Sequence, residues 1–310
     1  MWRRWLWALG FAGLCGIAAG AAAAADPARI AVILTQEGDA YQAFYEALRD
    51  RLHAVLGDRI HLQRRGLPVG ELSATLLVGA GRLASEEILQ RYPATPTVAT
   101  LLPRRAAADL ARSGERRAAP ATALYLDQPL DRHIGLIRAL LPHATRVGVI
   151  YGPTSRADRT ELAAGARRAG LELREAEFAA GDNIVRVLEP LLAKSEVLLV
   201  LPDPEVSSPR NVYPLLMASY RKGIPVIGFS AAYVDAGALA AVYSSPAQLG
   251  EQAADWIAQL LGREPGGWPP PQPPRDFQVG VNRHVARSLG LAVPTDAELH
   301  RRLRAREVRP

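Results

Sequence analysis

The sequence is almost free of cysteine. Cys15 is the single cysteine of the chain, and it lies in an apolar N-terminal stretch. Residues 26–310 therefore cannot form a disulfide, a thiolate metal site or a cysteine nucleophile. A chain of this kind suits an exported protein that does not depend on disulfides.

Lysine and aromatic residues are also scarce. Lys194 and Lys222 are the two lysines, and aromatic residues make up 6% of the chain. The formal net charge is +6, but the basic residues are scattered among acids, and the densest basic run is the tail from Arg301 to Arg309. A nucleic-acid surface requires a basic stripe with interleaved aromatic residues. We therefore expect no nucleic-acid partner.

Sequence motifs of catalytic sites are missing. The chain has no G-x-S-x-G nucleophile motif and no Walker phosphate loop, and none of its histidines belongs to a closely spaced metal-binding pair. The six histidines are His53, His61, His133, His143, His284 and His300. We therefore expect no enzyme, no metal and no cofactor. A hydrolase or transferase on an α/β scaffold is the remaining catalytic alternative.

The N-terminus predicts a secretory signal peptide over residues 1–25. Two arginines begin a positive segment, an uncharged apolar stretch runs to Gly20, and a run of alanines suits cleavage before Asp26. A membrane anchor is the alternative, because the uncharged stretch is long enough to span a bilayer. Its alanine-rich second half favours cleavage. Leu14 stands where a lipoprotein has a small residue, so we expect a periplasmic location without a lipid anchor.

Short apolar runs alternate with helical patterns along the chain. After the first run, apolar residues recur at helical spacing at Phe44, Leu48 and Leu52. The predicted strands are residues 29–34, 60–62, 74–78, 97–101, 146–151, 171–177, 197–201, 224–227 and 277–281, and residues 124–130 are predicted to be an extended segment. Apolar strands that alternate with helices are typical of parallel sheets covered on both faces. Because the pattern restarts near residue 124, the sequence predicts an α/β protein with two Rossmann-like lobes.

Proline is concentrated between Gly266 and Pro274, where it can continue neither a helix nor the interior of a sheet. The stretch is either a surface connector or a stiff segment that crosses between the lobes. After a further strand and helix, the charged tail of residues 295–310 is expected to pack loosely.

The loops that follow the strands form the candidate binding site. Parallel α/β sheets bind ligands at the carboxyl ends of their strands, where helix N-termini offer unpaired N–H groups. The candidate ligand-binding residues are Thr35, Gln36, Gly79 and Arg82 in the first lobe, and Tyr151, Thr154, Ser155, Asp203 and Ser230 in the second. The stretch after Leu101 belongs to the same edge. Hydroxyls and glycines suit a carboxylate or phosphate, whereas Asp203 and Glu37 would suit an amine.

Several of these residues have a structural alternative. Ser155 could cap the helix that it precedes, and Asp203, between two prolines, could close a turn. Gly79 and Gly81 could be turn glycines rather than phosphate binders. The Gly-Ala-Gly-Arg sequence lacks the third glycine of the dinucleotide fingerprint.

A series of short sequence motifs occurs in order in the second half of the chain. They are Asp127–Leu130, Leu136–Pro142, Arg146–Tyr151, Val200–Asp203, Gly223–Gly228, Val234–Gly237, Gln248–Gly250, Leu260–Pro265 and Val281–Asn282. In this order they resemble the ABC-transporter substrate-binding family with the type I periplasmic-binding fold, the group that includes tryptophan- and tyrosine-type binding proteins. The resemblance covers roughly residues 124–294.

The resemblance implies a hinge between two lobes and a ligand captured in the cleft as the hinge closes. The first lobe would comprise residues 27–124 and about 245–270, with the helix after Ser245 returning to it. The second lobe would comprise residues 129–242 and about 275–294.

The resemblance also carries Thr154, Ser155, Asp203 and Ser230 over as ligand contacts. The sequence departs from the family at Gly152–Arg156, where members that bind aromatic amino acids have an acidic stretch that contains asparagine and serine. The ligand could therefore differ from theirs.

These observations favour a periplasmic solute-binding component that delivers a small polar or amino-acid-like ligand to an inner-membrane ABC permease. We expect this component to act as a monomer. The alternative is a ligand-sensing or accessory periplasmic module that works with a membrane receptor or an outer-membrane uptake system.

Overall fold

The computed structural model describes residues 26–114, 117–261 and 268–307. The predicted signal peptide lies outside these residues. The described residues form two separate sheets flanked by helices, so the predicted architecture of two Rossmann-like lobes is confirmed. No helix within the described ranges is long and apolar enough to cross a membrane.

The first lobe contains a sheet of five parallel strands in the order β2-β1-β3-β4-β5. The strands are β1 (Ala28–Leu34), β2 (Ile60–Arg65), β3 (Leu76–Ala80), β4 (Thr97–Leu102) and β5 (Ala121–Tyr125). The connecting helices are α1 (Asp39–Leu56), α2 (Arg82–Arg91) and α3 (Arg104–Gly114). The central strands are almost wholly buried, as expected for a parallel sheet with helices on both faces.

The second lobe contains a six-stranded sheet in the order β11-β10-β9-β8-β6-β7, with β11 antiparallel. Its strands are β6 (Arg146–Tyr151), β7 (Glu172–Glu177), β8 (Val197–Val200), β9 (Val226–Gly228), β10 (Ala240–Tyr243) and β11 (Gln278–Val281). Its helices are α4 (Leu130–Leu140), α5 (Arg159–Arg168), α6 (Ile184–Leu192), α7 (Pro209–Arg221), α8 (Ala231–Asp235), α10 (Arg283–Ser288) and α11 (Asp296–Glu307).

Helix α9 (Pro246–Leu260) follows β10 of the second sheet in the chain but packs against α1 of the first lobe. Ser245 and Gln248 form a capping box that fixes its beginning. Gly250 allows the close approach of the two helices, because a Cβ there would lie 3.0 Å from the backbone nitrogen of Leu48.

Three chain segments therefore connect the lobes: residues 126–129, 244–245 and 273–277. Gln128 Nε2 donates to Ser244 Oγ at 2.8 Å, and Ser244 Oγ donates to the carbonyl oxygen of Asp276. Arg132, which is 7% exposed, donates to Gln128 and to the carbonyl oxygens of Pro274 and Arg275. The three crossing segments are thus held together by one buried polar network.

The proline-rich stretch lies along the edge of the first sheet in its described part. Thr122 Oγ1 donates to the Pro269 carbonyl oxygen at 2.7 Å, and Gln272 bridges to Leu124 in parallel. The chain then continues into the second lobe through residues 273–277. The stretch is therefore a crossing segment, the second of the two interpretations that its composition allows. The exact limits of each lobe stay a prediction.

Two expectations are wrong. Over residues 295–307 the tail does not pack loosely, since Leu299 and Leu303 of α11 are 0% and 2% exposed in the second-lobe core. These two leucines, four residues apart, form an apolar stripe within an otherwise charged helix. Gly79 does not lie in a loop, because β3 extends through it to Ala80.

Candidate functional site

A cleft of about 780 Å³ lies between the lobes. It is larger than a groove of about 630 Å³ that lies beside the crossing segments. Its walls come from both lobes. They comprise Arg82, Pro103, Arg104, Arg105, Ala106, Ala108, Asp109, Arg112, Asp127, Thr154, Ala157, Asp158, Pro202, Asp203, Pro204, Ser207 and Phe229. These residues follow β3, β4, β5, β6, β8 and β9, so the cleft lies at the carboxyl ends of both sheets.

Asp203 organises the loops on the second-lobe side. It is 3% exposed, and its Oδ2 accepts hydrogen bonds from the backbone nitrogens of Thr154 at 3.0 Å and Ser155 at 2.8 Å. The Ser155 hydroxyl donates to the same oxygen at 3.0 Å. Oδ1 accepts from the backbone nitrogens of Glu205 and Val206 at 3.0 and 3.3 Å. Asp203 therefore ties the loop after β6 to the loop after β8.

This bonding limits what Asp203 and Ser155 can offer a ligand. Both oxygens of the Asp203 carboxylate are already engaged, which leaves little capacity for the amine contact predicted from sequence. Ser155 is 1% exposed, and its hydroxyl also accepts from the Gly152 backbone nitrogen at 3.0 Å. The two side chains hold the loop in shape, and their contact with a ligand stays a prediction.

Thr154 is the predicted loop residue best placed for a ligand. It is partly buried and lines the cleft. Its backbone nitrogen bonds Asp203, whereas its hydroxyl makes no hydrogen bond within the described part of the chain. A hydroxyl in this situation can both donate to and accept from a small polar molecule.

Among the described residues, four arginines of the first lobe line the cleft. Arg82 begins α2 and pairs with Glu86 of the same helix at 2.7 Å, and Arg112 pairs with Asp109 within α3. Arg104 pairs with carboxylates of the second lobe. Arg105 is exposed and has no ion pair with any described residue. Arg105 is thus the cleft arginine best able to bind a ligand carboxylate.

The acidic groups near Arg104 are partly desolvated. Burial raises the pKa of Asp127 and of Asp158, although Arg104 opposes the rise in both. Burial would lower the pKa of Arg104, but its bonds to Glu161 and Asp158 outweigh that effect and raise it. Asp158 bonds the Arg104 guanidinium, whereas Asp127 accepts from the Arg104 backbone nitrogen, so two partly desolvated carboxyls lie close to each other at this point of the cleft.

The backbone leading to Arg104 is unusual. Leu101 has a φ of 53°, and the pairing of β4 with β5 shifts its register between Thr100 and Leu102. A non-glycine residue in the left-handed region costs about 1 kcal/mol or more and often lies at a functional site. Here the bulge turns the chain directly into Pro103 and Arg104 of the cleft wall.

An aromatic side chain supplies the apolar wall on the second-lobe side. Phe229 follows β9 and is partly exposed, and its ring lies 4.9 Å from the ring of Tyr233. The Tyr233 hydroxyl donates to Ser207 Oγ at 2.8 Å, which connects this wall to the loop after β8. Ser230 accepts from the Tyr233 backbone nitrogen and so caps α8.

The remaining predicted residues are distributed around the cleft. Thr35 Oγ1 accepts from the Ala84 backbone nitrogen at 3.1 Å and so holds the beginning of α2, while Gln36 is exposed beside it. Tyr151 is 0% exposed within β6, under the guanidinium of Arg159. Gly79 packs against α2, because a Cβ there would lie 2.8 Å from the Cα of Ser85. Of the nine predicted residues, Arg82, Thr154 and Asp203 line the cleft.

Sequence reasoning missed Arg104, Arg105, Asp127, Asp158 and Phe229. The available signal was position alone, because the stretch after Leu101 and the loop that contains Ser230 both follow predicted strands. The individual side chains could not be chosen, since the pairing of Arg104 with Asp158 depends on how two distant segments meet. No group of three or more metal-binding side chains occurs among the residues that the structure describes.

Comparison with known proteins identifies the family. A family model described as ABC transporter substrate binding protein matches residues 70–300. A ligand-free, open substrate-binding protein with adhesive properties from Clostridium difficile has a TM-score of 0.72 and 18% identity, covering 87% of this chain and 97% of that one. A domain from Streptococcus pneumonia in complex with L-Trp has a TM-score of 0.61 and 20% identity, covering 89% and 98%.

A conserved domain protein from Vibrio cholerae has a TM-score of 0.61 and 24% identity, again covering 89% of this chain and 98% of that one. The search of curated proteins gave no match. At these identities the structures show the fold, and the family match, which spans more than half of the chain, shows the family. The resemblance of residues 124–294 to the ABC-transporter substrate-binding family is therefore confirmed. The family consists of the solute-binding components of ABC transporters, and this chain belongs to it.

Proposed function

We propose that this chain is a periplasmic solute-binding protein that captures a small polar or amino-acid-like ligand between its lobes. The ligand then passes to an inner-membrane ABC permease, and the binding protein acts as a monomer. The family match supports this role and gives no specific support to the receptor-linked alternative. The observation that carries the proposal is the cleft itself, because its walls come from the strand ends of both lobes.

The chemistry of the cleft favours a ligand with an acidic and a basic group. Arg105 can bind a carboxylate, since it is exposed and forms no ion pair with a described residue. A ligand ammonium near Asp127 and Asp158 would be stabilised by two partly desolvated carboxyls. Phe229 and Pro103 offer apolar surface for the rest of the molecule. An amino acid has this combination of groups.

Closure of the lobes would give the ligand contacts with both walls at once. Such a ligand binds the closed arrangement more tightly than the open one and therefore shifts the population toward closure. The three crossing segments, with Arg132 at their centre, form the joint about which this motion would occur.

A thermal-shift screen of residues 26–310 against amino acids, nucleosides, sugars and small anions tests the proposal. Amino acids are expected to raise the melting temperature in proportion to the logarithm of their concentration. Stabilisation by sugars alone would contradict the ligand class, and a screen without any stabilising compound would contradict the binding role.

The matched variants are Arg105→Gln in the cleft and Arg49→Gln on the outer face of α1. Arg49 pairs with Asp50 and lies outside the cleft. Loss of a charge-assisted contact with the ligand carboxylate should weaken binding by roughly tenfold in Arg105→Gln. Binding to Arg49→Gln is expected to match that of the unaltered protein. If Arg105→Gln and Arg49→Gln bind the ligand with equal affinity, Arg105 does not contact the ligand.

A further inference from the structure

One arginine of the first lobe bonds two carboxylates of the second lobe across the cleft. Arg104 Nη1 donates to Glu161 Oε2 at 2.9 Å, and Arg104 Nη2 donates to Asp158 Oδ1. Arg104 is the first residue of α3, Asp158 lies directly before α5, and Glu161 is in the first turn of α5. The other ion pairs between described residues stay within one lobe or involve the crossing segment at Arg275 and Asp276.

The geometry on the first-lobe side is fixed by the backbone. The Arg104 backbone nitrogen donates to Asp127 Oδ2 at 2.6 Å, which anchors the beginning of α3 to the segment that leads into the hinge. The bulge at Leu101 and the following proline determine where α3 begins. Arg104 therefore extends toward the second lobe from a well-defined position.

The second-lobe partners are held equally well. Asp158 and Glu161 lie in and beside the first turn of α5, where the helix dipole favours negative charge. The side chains of Asp158 and Arg104 are 19% and 34% exposed, so water only partly screens their attraction. Glu161 is 56% exposed and lies outside the cleft wall.

We propose that Arg104, Asp158 and Glu161 form an interlobe latch, which draws the lobes together without any ligand. All of its partners are groups of the chain itself, so the latch can form before a ligand arrives. The inference rests on the proposed function, since it concerns the opening and closing of the same cleft. The population of the closed state then depends in part on the ion pairs of Arg104, and high salt should lower that population.

A modest interaction is sufficient for such a latch. Exposed and partly exposed ion pairs change an equilibrium by about two- to fivefold, and open and closed arrangements of a hinged protein differ little in free energy. The apparent affinity of the ligand scales with the fraction of protein that is already able to close. Loss of the latch should therefore weaken ligand binding by about the same factor.

Distances between two spin labels measure the latch directly. Residues 26–310 contain no cysteine, so Ala40→Cys and Ala180→Cys place one label on each lobe. Both residues are exposed and follow strand ends on opposite sides of the cleft. Glu161→Gln is the principal variant, because it removes one latch carboxylate without altering the cleft wall. Arg82→Gln is the control, since Arg82 lines the cleft but pairs within its own helix.

Without ligand, Glu161→Gln and Arg104→Gln should both shift the label distances toward longer values, and Arg82→Gln should not. The double variant should open no further than Arg104→Gln alone, because the two changes remove one shared interaction. In the unaltered protein, high salt should lengthen the label distances as the latch variants do. Unchanged distances in both latch variants would overturn the proposal.

This outcome is independent of ligand binding. A screen that yields no ligand would contradict the proposed function while leaving the measured latch intact. Conversely, a protein that binds an amino acid but shows no change of distance in Glu161→Gln would retain the proposed function and lose the latch.

Discussion

The carboxylate of Asp203 accepts two hydrogen bonds from Ser155, one from its backbone nitrogen at 2.8 Å and one from its hydroxyl at 3.0 Å. These bonds join the loops after β6 and β8, which together form much of the second-lobe wall of the cleft. A buried carboxylate that accepts several backbone N–H bonds fixes the loop conformation more strongly than a neutral acceptor does. The shape of the binding site therefore depends on a residue that is itself hardly exposed.

Asp203→Ala should destabilise the protein and not merely weaken the ligand complex. The change leaves several buried backbone nitrogens without an acceptor, at a cost of about 2–4 kcal/mol. The melting temperature of residues 26–310 should fall by roughly 5–15 °C in calorimetry. Asp131→Ala is the control, because the side chain of Asp131 is 72% exposed. A melting temperature equal to that of the control would refute the structural role of Asp203.

Gly152→Ala should disrupt the same loop from the other side. A Cβ at Gly152 would lie 2.5 Å from Asp203 Oδ2, closer than any real contact. Overpacking of this kind costs about 1–3 kcal/mol. Gly66→Ala is the matched control, since a Cβ there would have no neighbour within 4 Å. Thermal melts should separate the two variants, and similar melting temperatures would show that the loop tolerates a side chain.

Phe229→Ala should weaken ligand binding while leaving the fold intact. Phe229 lines the cleft and is partly exposed, so its removal costs little in folding. Loss of an aromatic wall lowers affinity by about 1–3 kcal/mol, or roughly five- to a hundredfold. Isothermal titration with the compound found in the thermal-shift screen measures the change. Tyr213→Ala serves as control, because Tyr213 is 67% exposed on α7, outside the cleft. Equal affinity in both variants would place the ligand elsewhere.

Because of His133, the free energy of unfolding should decrease as the pH is lowered below neutrality. Burial, together with the charge of Arg132, lowers its pKa to about 4. Between pH 6.5 and 4 the unfolded chain therefore binds a proton that the folded chain does not. The free energy of unfolding should consequently fall by about 1.4 kcal/mol for each pH unit in this range.

The measurement is urea unfolding between pH 7.5 and 5, where the loss due to His133 amounts to about 2 kcal/mol. His133→Leu removes the titrating group and should flatten the profile over this range. A variant whose stability still falls as steeply as that of the unaltered protein would show that other groups dominate.

The strands were the part of the fold most readily predicted. Val197–Val200 and Arg146–Tyr151 are short apolar runs bounded by polar residues, and both are strands as expected. Leu299 and Leu303 gave no such signal, because two leucines in a charged helix are a weak pattern until a core lies beneath them. The Gly-Ala-Gly sequence predicts a loop at Gly79 because a glycine often ends a strand, whereas in the structure Gly79 lies in β3 and makes room for Ser85.

The site was predictable only at the level of its loops. Strand order places the loop after β6 beside the loop after β8, and this adjacency follows from the fold class. The choice of Arg104 over Arg82 as the interlobe residue follows from a bulge at Leu101, which no sequence pattern marks. Tertiary pairing of charges lies beyond what the spacing of residues along the chain can reveal.

Small-angle X-ray scattering of residues 26–310, with and without the compound found in the screen, tests the account most directly. Capture between the lobes predicts a radius of gyration that decreases as the compound is added and reaches its limit at one equivalent. Stoichiometric binding with an unchanged radius of gyration would contradict closure of the cleft around a ligand.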